Sequence, residues 1–137
     1  MLMRAARAAG GALLSLAACS SAGQPDASGL TTVEKRKLVD RYYACARAAD
    51  QRCVRDTLHP EFVASDHPAG PMTRAVHAET MVLELRKSRV ESRIMPHEAS
   101  DVWVVELWID KHGASHSRLR AFGFEDRLIR SKTALGG

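Results

Sequence analysis

The chain is predicted to be α+β, with helices gathered toward its N-terminal half and an antiparallel sheet after them. Two observations predict this. Apolar residues recur at helical spacing up to about residue 88, and from residue 91 onward β-branched and aromatic residues cluster between short polar turns.

Thr31 or Thr32 can cap the first helix, Thr32 with Lys35 three positions on. Leu38, Tyr42, Cys45 and Ala49 form one stripe, and Val39, Tyr43 and Ala46 lie beside it. Asp50 interrupts this pattern and suits the N-cap of a shorter helix that carries Cys53, Val54, Thr57 and Leu58. That helix stops at His59-Pro60, because proline cannot continue it. Residues 61–66 read as a short extended segment, and the two prolines and one glycine of residues 67–71 make a turn. A longer helix is expected over residues 72–88, with Met72, Val76 and Leu83 on its apolar side. Strands are expected over residues 91–98, 101–110, 115–124 and 127–135. Lys111-His112-Gly113 and Glu125-Asp126 supply the hairpin turns. A sheet with one apolar face needs a helical cover, so it is expected to curl around the helices.

The first residues have a different character. Arg4 and Arg7 precede an apolar run at residues 8–17, which is too short to span a bilayer. Leu16-Ala17-Ala18-Cys19 then resembles the lipobox of bacterial lipoproteins. That resemblance implies a signal peptide at residues 1–18, lipid attachment at Cys19 and a flexible tether over residues 19–30. The domain follows over residues 31–137. The implied location is the cell envelope, with the protein lipid-anchored to a bacterial membrane.

The chain has 20 Lys and Arg against 16 acidic residues. Without Arg4 and Arg7 the balance is 18 against 16, a net of +2, with the signs interspersed. That pattern speaks against a nucleic-acid partner. Cys45 and Cys53 remain as an even pair in an oxidising compartment. They lie about one turn either side of the expected helical break, so a disulfide is expected. The six histidines are scattered; His112 and His116 straddle a hairpin turn with no third ligand at metal-site spacing. Neither a metal nor a cofactor is expected.

Over about residues 33–135 the chain resembles the nuclear transport factor 2-like (NTF2-like) superfamily, in particular its SnoaL-like and ketosteroid-isomerase-like domains. The carriers are residues 38–43 in helix 1, the break at Ala49-Asp50, His59-Pro60-Glu61-Phe62 leading to Ser65-Asp66-His67-Pro68, and residues 120–129. The resemblance implies a cone of three N-terminal helices packed against a curved, mostly antiparallel sheet. Its open end is a largely apolar pocket, and dimers form through the sheet. Fold alone does not give activity, since this superfamily hosts isomerases, cyclases, dehydratases and binding modules.

Isomerase-like members use a helix-1 tyrosine as oxyanion donor and a pre-turn aspartate as base, and Tyr42 and Asp66 match those places. At the place of a second, protonated carboxyl donor this chain has Arg120. Arg120 can pair with Asp66 or Glu106, or hold an anionic ligand. By strand alternation it shares a face with Arg118, Phe122 and Phe124. Trp103 and Trp108 fall on opposite faces of their own strand. The expected pocket lining is Tyr42, Asp66, His77, Trp103, Arg120 and Phe122. Apolar residues on both faces of residues 102–109 imply that the outer face is covered, for instance by a second subunit.

The leading expectation is a binding domain without chemistry, for a small organic ligand or an envelope partner. A proton-transfer enzyme of isomerase, dehydratase or cyclase type, with Asp66 as base and Tyr42 as oxyanion donor, is the alternative. A structural dimerisation module is the third.

Overall fold

Thr31 opens helix α1 (Thr32–Arg47) with a full capping box. Its hydroxyl accepts the Glu34 N–H at 3.2 Å, and the Glu34 carboxylate accepts the Thr31 N–H at 3.0 Å. The pairing of Thr32 with Lys35 is thereby corrected, because Lys35 turns inward and is buried. The structure, a computed structural model, describes residues 23–97 and 99–136. Helix α1 buries Val39, Tyr42, Tyr43, Cys45 and Ala46. Ala49, at φ 55°, reverses the chain, and the Asp50 carboxylate accepts the Cys53 N–H at 3.0 Å to cap α2 (Gln51–Asp56). Cys45 and Cys53 meet across this break as a disulfide, with their Cα atoms 5.4 Å apart.

Strand β1 (Leu58–Ser65) follows, then a two-residue strand β2 (Met72–Thr73) and helix α3 (Arg74–Glu84). The helix expected over residues 72–88 is therefore shorter at both ends. Val63 and Ala64 pair with Thr73 and Met72, and Ser88 already belongs to the next strand. Its buried side is also corrected: His77, Ala78, Met81 and Val82 face inward, while Val76 and Leu83 are exposed. Val76 and Leu83 share one face at helical spacing, but β1 and α2 pack against the opposite one.

Strands β3 (Ser88–Ile94), β4 (Val102–Asp110), β5 (Ser115–Glu125) and β6 (Leu128–Leu135) complete one six-stranded sheet in the order β2-β1-β6-β5-β4-β3. All neighbours are antiparallel except β1 and β6, which run parallel. The fold is thus α+β, with the helices covering the concave face of a curved, mostly antiparallel sheet. Tyr42, Tyr43, Phe62, Phe122, Leu58 and Ile129 sit at the contact, each almost wholly buried. Burial of Phe62 and of Phe122 contributes about 1.5–3 kcal/mol apiece.

Gly123 marks a register shift in β5. Before it Phe122 pairs with Lys132 and Gly123 with Ser131; after it Phe124 pairs with Ile129. A Cβ at Gly123 would lie 2.5 Å from the Ser131 hydroxyl, so a larger residue here would force the Ser131 side chain to turn away. The shift turns both Ile129 and Lys132 toward the helices, although simple alternation would separate them.

Residues 26–30, expected within a flexible tether, are instead packed on the domain. Ser28 and Leu30 are buried, and Gly29 (φ +81°) closes a turn in which its N–H donates to the Asp26 carbonyl. Arg127 in the β5–β6 turn donates its N–H to the Ser28 carbonyl at 2.7 Å and its guanidinium to the Gly29 carbonyl. Asp26 forms an ion pair with Lys35. Residues 26–30 are therefore part of the domain. The expected signal peptide and the expected lipid-attachment residue Cys19 lie outside the described residues. No helix among the described residues is long and apolar enough to cross a membrane.

Candidate functional site

Four charged side chains meet under the helices. Glu106 projects inward from β4, Arg120 from β5, Lys132 from β6, and Asp66 follows the end of β1. The Lys132 ammonium lies 2.8 Å from Glu106 Oε2 and 3.3 Å from Asp66 Oδ2. Arg120 Nε lies 3.1 Å from Asp66 Oδ2 and 3.7 Å from Glu106 Oε1. At these four residues no side chain is more than 8% exposed. Two anions and two cations cancel, which is how so much charge is tolerated away from water. Arg120 Nε makes no well-aligned hydrogen bond, so its contact with Asp66 is close but angular.

Polar groups of the core complete the network. The Tyr43 hydroxyl donates to Glu106 Oε2 at 2.5 Å, and the Trp108 indole N–H donates to Glu106 Oε1 at 2.9 Å. Lys132 donates to the Tyr42 hydroxyl at 3.3 Å, and Tyr42 Oη lies 2.6 Å from His77 Nε2. Among the described residues His77 Nε2 is the one acceptor for the Tyr42 hydroxyl proton, an arrangement that suits a neutral imidazole protonated on Nδ1. The ammonium also lies 5.4–5.8 Å from the ring centres of Tyr42, Tyr43 and Phe122, a favourable cation–π setting.

These surroundings move the protonation equilibria. Burial, reinforced by the Lys132 charge, lowers His77 to about 3. Burial alone would raise Glu106, but the Lys132 charge and the hydrogen bonds from Lys132, Tyr43 and Trp108 outweigh it and hold the carboxyl at about 2. For Lys132, burial opposes the charge, yet Glu106 and the rest of the cluster raise it above its ordinary value. Burial raises both tyrosines.

The open end of the cone is nearly filled. A cavity of about 20 Å³ remains beside Asp66, His77, Trp108, Arg118 and Lys132, room for about one water. His67 and Glu84, 3.3 Å apart, lie at the same opening. Arg118 packs its guanidinium 5.0 Å from the Trp108 ring centre.

Of the residues expected around the pocket, the structure brings Tyr42, Asp66, His77, Arg120 and Phe122 to this one region. Trp103 is corrected. It stands on the other face of β4, stacks on His97 at 3.9 Å and donates to Asp101, while Val102, Val104, Glu106 and Trp108 turn inward. Sequence reasoning left out Lys132, Tyr43 and Trp108 from this lining and gave Glu106 only as a partner for Arg120. Alternation puts Glu106 and Trp108 on one face with Val102 and Val104 but does not say that this face is the inner one; for Lys132 the bulge removes any such signal.

Elsewhere, His59, Glu125 and Asp126 bring possible ligand atoms within 4.8 Å of one another. His59 Nδ1 accepts the Glu61 N–H, so Nε2 carries the proton and donates to Asp126 at 3.0 Å, while Glu125 pairs with Arg130. These groups are already mutually satisfied.

No protein-family model matches this chain, and no curated protein matches it by sequence. Solved structures do match in shape. One is a protein of unknown function with a cystatin-like fold from Methylobium petroleophilum, at 16% identity, 77% of each chain and TM-score 0.69. Another is an NTF2-like protein of unknown function from Cytophaga hutchinsonii, at 16% identity, 73% of this chain, 87% of the other and TM-score 0.61. A third is a Δ5-3-ketosteroid isomerase from a Mycobacterium species, at 11% identity, 76% of this chain, 93% of the other and TM-score 0.59. The fold is the NTF2-like cone. Within that class this chain has a cone interior closed by a neutralised ion network.

Proposed function

We propose that this protein is a lipid-anchored envelope module that acts by binding an envelope partner through its surface, without chemistry. One observation carries the reading: the interior holds about 20 Å³ of free space, against about 300 Å³ or more for an ordinary small-molecule site. A small organic ligand would have to displace paired charges. A proton-transfer role for Asp66 with Tyr42 is the lesser reading, because Arg120 and Lys132 both engage the same carboxylate oxygen.

The outer face of the sheet is the contact surface we favour. Trp103, Val105, Leu107 and Ile109 stand there half-buried, and a shallow hollow of about 290 Å³ lies among Arg93, Val105, Leu107 and Ser117. A second copy of the chain is its simplest occupant. Sedimentation of the non-lipidated chain at micromolar concentration should give a dimer, and Leu107→Asp should give a monomer with an unchanged melting temperature. A wild-type monomer at those concentrations would remove the self-association.

The anchor is tested separately. Cys19→Ser should abolish incorporation of labelled fatty acid and shift the protein out of the membrane fraction. Equal labelling of wild type and variant would reject lipid attachment at this residue.

A further inference from the structure

A wide, open cleft lies away from the ion network. It has a volume of about 480 Å³ and runs between the turn that follows α3 and the β4–β5 hairpin. Leu85 and Ile109 contribute apolar wall, and Arg86, Lys87, Arg89 and Lys111 contribute four cations. Asp110 is the single carboxylate in the lining, and its Oδ1 already accepts the N–H groups of His112 at 2.8 Å and Ala114 at 3.0 Å. Among the described residues Arg86, Lys87 and Lys111 have no ion-pair partner, and Arg89 has only an exposed contact with Glu91 at 3.9 Å. The Met81, Leu83 and Glu84 carbonyls at the end of α3 accept the N–H groups of Leu85, Arg86 and Lys87.

The charge is also concentrated here. Beyond Ala18 the chain carries a net +2, whereas the lining of this one cleft carries four cations against one carboxylate. Without the cleft the rest of the chain is close to neutral. Unpaired Arg and Lys converging on a recess are suited to bind phosphate or carboxylate oxygens, with arginine able to grip two at once.

We infer that this cleft binds a multiply charged anion, a ligand bearing phosphate or carboxylate groups. The source is a soluble or polymeric anion and not the bilayer that holds the N-terminus. Residues 26–30 dock beside Arg127 and Lys35, and Lys35 in turn donates to the Ser100 carbonyl just before β4. The cleft lies at the other end of β4, whose nine residues span about 30 Å. Chain entry and cleft are thus at opposite ends of the domain. The orientation rests on the lipid-anchor reading; anion binding does not.

The test uses the full chain beyond Ala18 with Cys19→Ser, titrated with tripolyphosphate and with citrate at low salt and followed by backbone amide NMR. Saturable shifts are expected at residues 85–89 and 110–113, weakening as salt rises. Arg86→Gln with Lys111→Gln should lower the affinity at least tenfold at an unchanged melting temperature. Lys37→Gln, on exposed α1 surface, should leave it unaltered. Phosphatidylglycerol vesicles should neither sediment this soluble chain nor compete with tripolyphosphate. Absence of saturable shifts with both anions, or equal affinity in the double variant, would overturn the site. Vesicle binding that is lost in the double variant would overturn the assignment to a soluble or polymeric anion.

Discussion

Glu106→Gln should destabilise the domain by about 3–5 kcal/mol, as expected when one partner of a buried ion cluster is removed. The side chain is 1% exposed and serves Tyr43, Trp108, Lys132 and Arg120 together. Loss of its charge leaves two buried cations sharing Asp66. The glutamine amide would in addition aim a donor at groups that are themselves donors. For a domain of this size the melting midpoint should fall by at least about 12 °C. The double substitution Glu106→Leu with Lys132→Met removes one charge of each sign and keeps Asp66 with Arg120. Tyr43 and Trp108 still lose their acceptor, so the double variant should remain less stable than wild type. Against the two single variants it should nevertheless show a coupling energy above about 2 kcal/mol in a double-mutant cycle. Asp66→Asn should destabilise in the same direction, whereas a free catalytic base would be replaceable at little cost. A wild-type midpoint for Glu106→Gln, or strict additivity in the cycle, would show that the cluster does not act as a unit.

Acidification should unfold the protein in two overlapping steps. His77 ordinarily titrates near 6.5, but burial and the Lys132 charge hold it to about 3 in the folded state. The unfolded chain therefore takes up this proton first. The His77 contribution is complete above about pH 6.5 and declines as pH falls toward 3. Glu106 titrates near 4.5 when unfolded and at about 2 when folded, so its contribution is lost between those values. Together the two should remove on the order of 6 kcal/mol between pH 7 and 3. Lys132 acts at the other end: its folded value is raised, so its contribution persists below its ordinary value of 10.5 and fades at higher pH. Greatest stability is expected between about pH 6.5 and 10. Urea midpoints measured from pH 8 to 3 check this, and His77→Gln should remove the decline between pH 6.5 and 4.5. An unchanged midpoint from pH 7 to 5 in the wild type would reject the buried neutral imidazole as its source.

The two outcomes bear on function in the same way. Both results would support the proposed reading, in which Asp66 and Tyr42 serve the structure and recognition falls to the outer sheet face and the basic cleft.

Much of the architecture is local and was legible from residue order. The stripe through Tyr42 and Cys45, the Asp50 cap, the prolines at 68 and 71 and the hairpin at Lys111-His112-Gly113 each act within about ten residues. They were sufficient to predict the α+β order and the bridge between Cys45 and Cys53. Alternation along residues 102–109 separated Trp103 from Trp108 but could not say which faced inward, because that depends on which side the helices cover. Helix α3 posed the same problem, with Val76 and Leu83 as plausible an inner face as His77, Ala78 and Met81. The ion network lay further from reach. Tyr43 and Glu106 are 63 residues apart, Tyr42 and Lys132 are 90, and Lys132 faces inward only because a bulge at Gly123 shifts the register of β6. By itself the sequence determined the order of the helices, turns and strands, though not their exact bounds, since backbone sterics and hydrophobic period are short-range. Only the tertiary structure decided which charges share the interior, since the cost of burying each depends on partners that distant strands supply.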